Sequence, residues 1–250
     1  MKQRQPDTGL WFLEGEDYAA WKANPASFIW LYGIPGCGKT ILSSTILQNI
    51  LEYCANDPGK VVAYFYFDFK DTQKQSSELM IRSLVSQLYQ PCIKMPTALQ
   101  ELFSSCGSGQ RQPSLDSLLE VMSSIIQEFP ESYIVLDALD ECTDRTELMA
   151  MLERIIGLKL EGSHILVTSR KERDIEISLG TVADPQNIIC LQNKLVDRDI
   201  RTYVRQRLSK DQSLNKWQKD PDIRHEIDIA LTKGACGMYV CPIFSLEIQY

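Results

Sequence analysis

The sequence lacks the long apolar segments of membrane-spanning and exported proteins. Its longest apolar run, residues 61–67, is far shorter than the roughly 20 residues that a helix needs to cross a bilayer. Residues 1–8 are polar and contain no apolar stretch of the signal-peptide type. These absences predict a cytoplasmic protein without a membrane partner.

Closely spaced cysteine pairs are also missing. The eight cysteines are scattered without any CxxC spacing, and His164 and His225 lie far from any cysteine pair. We therefore expect no zinc site. Scattered cysteines in a chain of this size are typical of small buried side chains in a reducing compartment.

The sequence has no run of basic residues. It contains 33 acidic and 26 basic residues, a net charge of -7, and its Lys and Arg residues are spread along the chain. Nucleic-acid-binding surfaces usually show a basic patch or stripe. We therefore expect no nucleic-acid partner.

What remains is the composition of a globular domain, with 250 residues of which 44% are hydrophobic and 24% charged. Short apolar segments predict strands, and they alternate with segments of helical periodicity. The predicted strands are 28–32, 61–67, 133–136, 165–168 and 188–191. Helices are predicted after the first strand, after Ser114, and at about 76–90, 96–106, 146–158, 196–208 and 223–231. This alternation predicts an α/β fold whose parallel sheet is covered on both faces.

A glycine-rich loop joins the first predicted strand to the following helix. Because glycine permits positive φ and close backbone approach, the N–H groups of such a loop can point at a polyphosphate, and the helix N-terminus favours anions. Lys39 would reach the β- and γ-phosphates, and Thr40 would bind Mg²⁺. The residues predicted to bind a nucleoside triphosphate are Gly33, Ile34, Pro35, Gly36, Cys37, Gly38, Lys39, Thr40 and Ile41.

The third predicted strand ends in carboxylates. Asp137 stands at its tip, where phosphate-loop enzymes hold Mg²⁺ with an acidic residue. Asp140 and Glu141 follow, placed to orient or deprotonate an attacking water. In isolation the segment also fits a solvated turn before a helix, but its combination with the glycine loop favours the metal site.

The fourth predicted strand ends in Thr168, Ser169 and Arg170. A guanidinium group suits phosphate oxygens because of its planar fork, so Arg170 is a candidate for contacting the terminal phosphate. A surface arginine that simply leaves a strand fits equally well.

Together these segments resemble the NACHT domain of the signal-transducing NTPases called STAND, most closely the type in fungal NOD-like receptors. The resemblance extends over about residues 8–239. It rests on residues 8–13, the glycine loop, Ala138 after the first acid, residues 166–170 and residues 234–239.

The resemblance implies a P-loop NTPase three-layer sandwich with strand order 5-1-4-3-2, which would bring Arg170 beside the loop. It implies Mg²⁺ and ATP or GTP as ligands. Residues 1–27 would form a lead-in near the base, residues 28–192 the core and residues 193–240 a helical subdomain. Residues 11–13 are candidates for the base pocket, or else for a hydrophobic clamp on the sheet.

The end of the chain departs from the family pattern. Pro242 would break the helix that the family continues there, and residues 241–250 form a divergent tail. We therefore expect a fragment that lacks the winged helix, the sensor repeats and the effector domain of a larger receptor.

Three functions stay open. The first is a slow NTPase acting as a nucleotide-controlled oligomerisation switch in a signalling or incompatibility receptor, which would self-associate with other NACHT copies. Ala138 favours slow turnover, since fast ATPases often carry a catalytic Glu there. The second is a truncated, non-signalling scaffold. The third is a P-loop phosphotransferase, although the sequence shows neither an arginine-rich lid nor an acceptor pocket.

Overall fold

A computed structural model describes residues 9–191, which form five parallel strands and eight α-helices in alternation. The strands are β1 Ser27–Tyr32, β2 Lys60–Tyr66, β3 Glu131–Asp137, β4 Ser163–Ser169 and β5 Ile188–Cys190. The helices are α1 Leu10–Leu13, α2 Glu16–Ala23, α3 Lys39–Cys54, α4 Ser77–Tyr89, α5 Thr97–Ser105, α6 Leu115–Ile126, α7 Arg145–Gly157 and α8 Arg173–Val182.

The strand order is β2-β3-β4-β1-β5, which confirms the predicted order read from the opposite edge. β4 lies between β1 and β3, with Trp30 paired to Val167 and Ile134 paired to Ile165. Parallel strands end at the same edge of a sheet. The segments that follow β1, β3 and β4 are therefore neighbours, although they are far apart in sequence.

The core divides between the two faces of the sheet. Along β1, Phe28 and Trp30 join the cluster beneath α4, α6, α7 and α8, whereas Ile29 and Leu31 join the cluster beneath α1, α2 and α3. Successive side chains of a strand point to opposite faces, so a continuous apolar run is what a sheet covered on both sides requires.

β2 is an edge strand, and its outer side is only partly covered. Tyr64 in its middle is 38% exposed. The Gln87 side chain of α4 accepts a hydrogen bond from the Tyr64 amide at 3.1 Å and donates one to the Tyr64 carbonyl at 2.8 Å. This side chain occupies backbone groups that an edge strand otherwise offers to another chain.

The lead-in segment belongs to the core. Phe12 of α1 and Tyr18 and Trp21 of α2 are almost completely buried. The Trp21 indole donates a hydrogen bond to the Ile165 carbonyl at 3.1 Å and packs edge-on against Tyr133. Trp21 therefore anchors this segment to the sheet, and the base-pocket and clamp alternatives for residues 11–13 both stay predictions.

Replacing Trp21 with Phe is expected to lower the free energy of unfolding by about 1–3 kcal/mol, because the buried indole hydrogen bond and part of the ring packing are lost. Urea unfolding would measure this. Trp11→Phe is the matched control, because Trp11 is only partly buried, and we expect it to change stability by less than about 0.5 kcal/mol. If Trp21→Phe and the parent were equally stable, Trp21 would not anchor α2 to the sheet.

The predicted helices at 196–208 and 223–231, the helical subdomain at 193–240 and the tail at 241–250 lie outside the described residues. Helices α1, α2 and α8 were not predicted. Within the described part of the chain, no helix is long and apolar enough to cross a membrane.

Candidate functional site

The loop between β1 and α3 takes a shape that depends on its glycines. Gly36 and Gly38 have φ of 76° and 91°, in the left-handed region that side chains disfavour. A Cβ atom on Gly33 would lie 2.7 Å from the Cys37 Sγ, closer than two such atoms can approach. The loop therefore curls tightly ahead of the α3 N-terminus.

Neighbouring strands hold this loop in place. The Gly33 amide donates to the Ser169 carbonyl of β4 at 3.4 Å, and the Leu191 amide donates to the Tyr32 carbonyl at 2.8 Å. Cys37 is buried, and burial raises the pKa of its thiol despite the opposing charge of Lys39. Cys37 therefore contributes a neutral, apolar side chain beneath the loop.

The Lys39 ammonium lies within the curl of the loop. It donates to the Gly33 carbonyl at 2.8 Å and to the Ile34 carbonyl at 3.0 Å, and it lies 3.8 Å from the Cys37 Sγ. Its side chain thus adds a positive charge to the positive end of the α3 dipole. An anionic group is the ligand that this combination favours.

Asp137 is buried at the end of β3, with 1% of its surface exposed. Its Oδ1 accepts a hydrogen bond from the Thr168 hydroxyl at 2.7 Å. Burial raises the pKa of this carboxyl group, whereas the Thr168 and Thr40 hydroxyls and the Lys39 charge act in the opposite direction. The Asp137 carboxyl group therefore lies close enough to Lys39 and Thr40 for both to act on its pKa, as a shared phosphate and metal site requires.

The side-chain oxygens of Asp137 and Thr40 fit Mg²⁺. The ion prefers hard oxygen ligands and usually takes only one or two carboxylates from the protein, with water and phosphate completing its shell. Among residues 9–191, no group of three or more His, Cys, Asp or Glu side chains is placed to hold a metal ion. Asp137 and Thr40 are thus a sparse set that suits Mg²⁺ with a phosphate ligand. The fully buried Ser43 hydroxyl nearby has no hydrogen-bond partner among the described residues, which is a second polar group available to such a site.

Asp140 and Arg170 meet at the tips of β3 and β4 and bind one another. Asp140 Oδ2 lies 3.0 Å from the Arg170 Nε, and Asp140 Oδ1 accepts from the Arg170 amide at 2.9 Å. The Asp140 side chain is 5% exposed and that of Arg170 is 45% exposed. Both carboxylate oxygens are thus engaged by Arg170.

Glu141 is directed towards the segment that follows β2, because its Oε2 accepts from the Phe69 amide at 3.1 Å. Ala138 lies between Asp137 and these acids with φ of 61° and donates its amide to the Thr168 hydroxyl at 3.0 Å. The structure thus brings Asp140, Glu141 and Arg170 to the same edge as the loop, and their catalytic role stays a prediction.

Sequence reasoning did not identify Ser43 or Tyr66 as neighbours of Asp137. Ser43 follows Lys39 by four residues, so both lie on one face of α3. This four-residue spacing could have identified Ser43 as a neighbour of the candidate site. Tyr66 is paired with Asp137 in the sheet register, which depends on the strand order and is not visible in local sequence.

A family model described as "Nephrocystin 3, N-terminal" matches residues 7–170, a stretch that contains the loop, Asp137 and Arg170. The chain belongs to this family. Membership of it, together with the fungal relative described next, confirms the resemblance to NACHT-type domains that was predicted from the sequence.

Among curated proteins, the chain is similar to vegetative incompatibility protein HET-E-1 of Podospora anserina, with 24% identity over 242 residues. That match covers 94% of this chain and 17% of HET-E-1. A shorter match has 34% identity over 56 residues with the proteasome-associated ATPase of Saccharomonospora viridis, covering 22% of this chain and 9% of that protein. The chain therefore spans only a small part of the length of these relatives.

Solved structures with this fold include two Aeropyrum pernix proteins. The ORC1 protein in complex with DNA has a TM-score of 0.53 and 17% identity, covering 83% of this chain and 50% of that one. The ORC2 protein in its ADP form has a TM-score of 0.53 and 15% identity, covering 94% of this chain and 65% of that one. At this identity the likeness establishes the P-loop α/β fold alone.

The expectation that nucleic acid is excluded as a partner was wrong. The structure of Aeropyrum pernix ORC1 that shares this fold was solved in complex with DNA. The physical reason is that net charge sums over the whole surface, whereas phosphate groups are contacted by a local set of cationic and backbone groups. A net charge of -7 and scattered Lys and Arg residues therefore do not exclude this class of partner.

Proposed function

We propose that this chain binds a nucleoside triphosphate with Mg²⁺, hydrolyses it slowly, and acts as a nucleotide-controlled oligomerisation switch within a NOD-like receptor. We place it in the cytoplasm, a reducing compartment that suits the buried free thiols of Cys37, Cys54 and Cys142. The convergence of Lys39, Thr40 and Asp137 at one edge of the sheet is the observation that carries the proposal.

Each part of this convergence has one task. The curled loop and the α3 N-terminus would bind the phosphates through backbone amides, and Lys39 would exchange its loop carbonyls for phosphate oxygens. Thr40 and Asp137 would hold Mg²⁺, which neutralises phosphate charge when bound. Thr40 already lies close enough to Asp137 to lower the pKa of its carboxyl group.

Slow hydrolysis is supported by the arrangement of the acids. Ala138 supplies no carboxylate, and both Asp140 oxygens are engaged by Arg170, Oδ1 in a hydrogen bond from the amide and Oδ2 in an ion pair with the guanidinium. A carboxylate with both oxygens engaged is a poor general base. Glu141 is the remaining candidate for orienting water. The hydrogen bond that it accepts from the Phe69 amide would have to break first. We expect a turnover well below the roughly ten per second of a typical enzyme.

The switch itself would involve Arg170. Its guanidinium is bound to Asp140, yet its side chain is 45% exposed at the edge of the sheet that carries the loop. A terminal phosphate would compete with Asp140 for the Arg170 guanidinium. The reason is that phosphate and carboxylate both offer anionic oxygens that match its planar fork. The Asp140–Arg170 ion pair would then be intact with the diphosphate bound and broken with the triphosphate bound.

Calorimetric titration with ATP, ADP, GTP and GDP, each with Mg²⁺ and with EDTA, tests the binding proposal. We expect saturable binding of one base class and tighter binding with Mg²⁺. Light scattering with the diphosphate and with a non-hydrolysable triphosphate then tests the switch, and we expect larger assemblies only with the triphosphate. Because the chain spans a small part of its relatives' length, the full-length receptor is the second sample for this measurement.

The outcomes separate the alternatives. Absence of binding for all four nucleotides would contradict the site. Association that is equal with and without the terminal phosphate would favour a passive scaffold. Transfer of labelled phosphate to a small molecule instead of water would favour a phosphotransferase.

A further inference from the structure

Ser43 is a buried hydroxyl that lacks the usual helical partner. Its side chain is completely buried in α3, and its Oγ has no hydrogen-bond partner among the described residues. The next two hydroxyls in the helix bond backward to carbonyls, Ser44 to Thr40 at 2.8 Å and Thr45 to Ile41 at 3.1 Å. Leaving a buried hydroxyl unpaired costs stability, so the Ser43 hydroxyl is free to take a hydrogen-bond partner in another state of the protein.

The Ser43 hydroxyl lies near two functional groups, the Asp137 carboxyl and the Tyr66 phenol. It is near enough to the Asp137 carboxyl and the Tyr66 phenol to lower the pKa of both, although burial raises each. Its contacts with them fall short of hydrogen-bond geometry. Tyr66 pairs with Asp137 in the sheet register, and its phenol lies 3.4 Å from the Ser44 Oγ. The hydroxyls of Ser43 and Tyr66 thus both lie beside the Asp137 carboxyl group.

We infer that Ser43, backed by Tyr66, is a positioning residue that orients the Asp137 carboxylate towards a divalent cation. Thr168 already donates to Asp137 Oδ1, and Thr40 is assigned to the cation, so Ser43 is the remaining nearby hydroxyl for the other oxygen. Groups that hydrogen-bond a metal-binding carboxylate fix its orientation and so increase metal affinity. The inference rests on the proposed function, since it concerns the Mg²⁺ of that site.

A matched control is available in the same sheet. Ser132 of β3 is likewise buried and has no side-chain partner among the described residues. It pairs with Val61 and Ser163 at the opposite end of the strands from Asp137. Replacing either serine with alanine removes an unpaired hydroxyl from the core, but only Ser43 adjoins the candidate metal site.

The experiment measures Mg²⁺ affinity at a fixed concentration of the diphosphate, ADP or GDP, that the parent binds, and diphosphate affinity in EDTA. We expect Ser43→Ala to weaken Mg²⁺ binding on the order of tenfold, the lower end for loss of an outer-shell partner. Its diphosphate affinity in EDTA should stay within about twofold of the parent, because the hydroxyl supports the metal site and not the phosphate site. Ser132→Ala should change neither quantity. Tyr66→Phe should weaken Mg²⁺ binding by a smaller factor.

Two results would overturn the inference alone. The first is Mg²⁺ affinity in Ser43→Ala equal to that of the parent, and the second is an equal loss of diphosphate affinity in EDTA, which would mark a packing role. A parent chain that binds the diphosphate without any effect of Mg²⁺ would overturn both the inference and the metal part of the proposed function.

Discussion

Replacing Lys39 with alanine is expected to weaken binding of the triphosphate on the order of a hundredfold. A hydrogen bond to a charged group contributes about 1.5–3 kcal/mol, and each 1.4 kcal/mol is about tenfold in affinity. Lys39 is placed to make such contacts because its ammonium lies within the curl of the loop, bonded to the Gly33 and Ile34 carbonyls. Calorimetric titration of the variant and the parent would measure the difference.

Lys74→Ala is the control for this variant. Lys74 is also a lysine, but its side chain is 49% exposed and pairs with Asp71 in the segment after β2. We expect it to leave nucleotide affinity unchanged, since Lys74 is an exposed charge that salt screens and that already pairs with Asp71. The assignment of the phosphate site fails if Lys39→Ala binds the triphosphate as tightly as the parent and Lys74→Ala do.

The strand positions were predictable because a strand buried on both faces is a continuous apolar run in the sequence. Residues 133–136 and 165–168 were predicted as strands, and the structure extends them to Glu131–Asp137 and Ser163–Ser169. The added residues are polar, and a polar residue at a strand end carries no periodic signal. The order of the strands came from the family resemblance, not from periodicity.

Helix α8 shows where periodicity misleads. Ile175, Ile177 and Leu179 alternate with polar residues, which is a strand pattern. The structure buries Ile175 and Leu179, four residues apart on one helical face, and leaves Ile177 61% exposed. The exposed Ile177 obscures the helical spacing of the buried pair, and no element was predicted for this segment.

The candidate site also contains both residues that local sequence patterns predict and contacts that they do not. The glycine loop and Asp137 stand in the sequence as local patterns of residue type and spacing. The pairing of Asp140 with Arg170, and the position of Ser43 beside Asp137, depend on β4 lying next to β3 and on α3 packing across the sheet. Contacts of this kind join residues distant in sequence, so local patterns do not reveal them.

Asp137→Asn is expected to lower Mg²⁺ affinity on the order of a hundredfold, at least as much as loss of an outer-shell partner costs, because the charged metal ligand is removed. The amide oxygen can still accept the Thr168 hydrogen bond, so the fold should persist. Titration of Mg²⁺ at fixed diphosphate measures the effect. Asp116→Asn is the control, because Asp116 is 71% exposed and pairs with Arg154 on the surface.

The same variant should be more stable than the parent when Mg²⁺ is absent. Burial raises the pKa of Asp137 in the folded protein, so the folded state binds a proton more readily than the unfolded chain does. The parent therefore loses stability as pH rises from the ordinary carboxyl range through the higher folded pKa, and Asp137→Asn, which has no charge to bury, should escape this loss. We expect a gain of about 0.5–2 kcal/mol at neutral pH in EDTA, the usual gain from a single stabilising substitution. Mg²⁺ with the diphosphate should reverse the ranking, because it stabilises only the protein that binds it. A variant less stable than the parent in EDTA would show that the carboxylate serves the fold and not a cation.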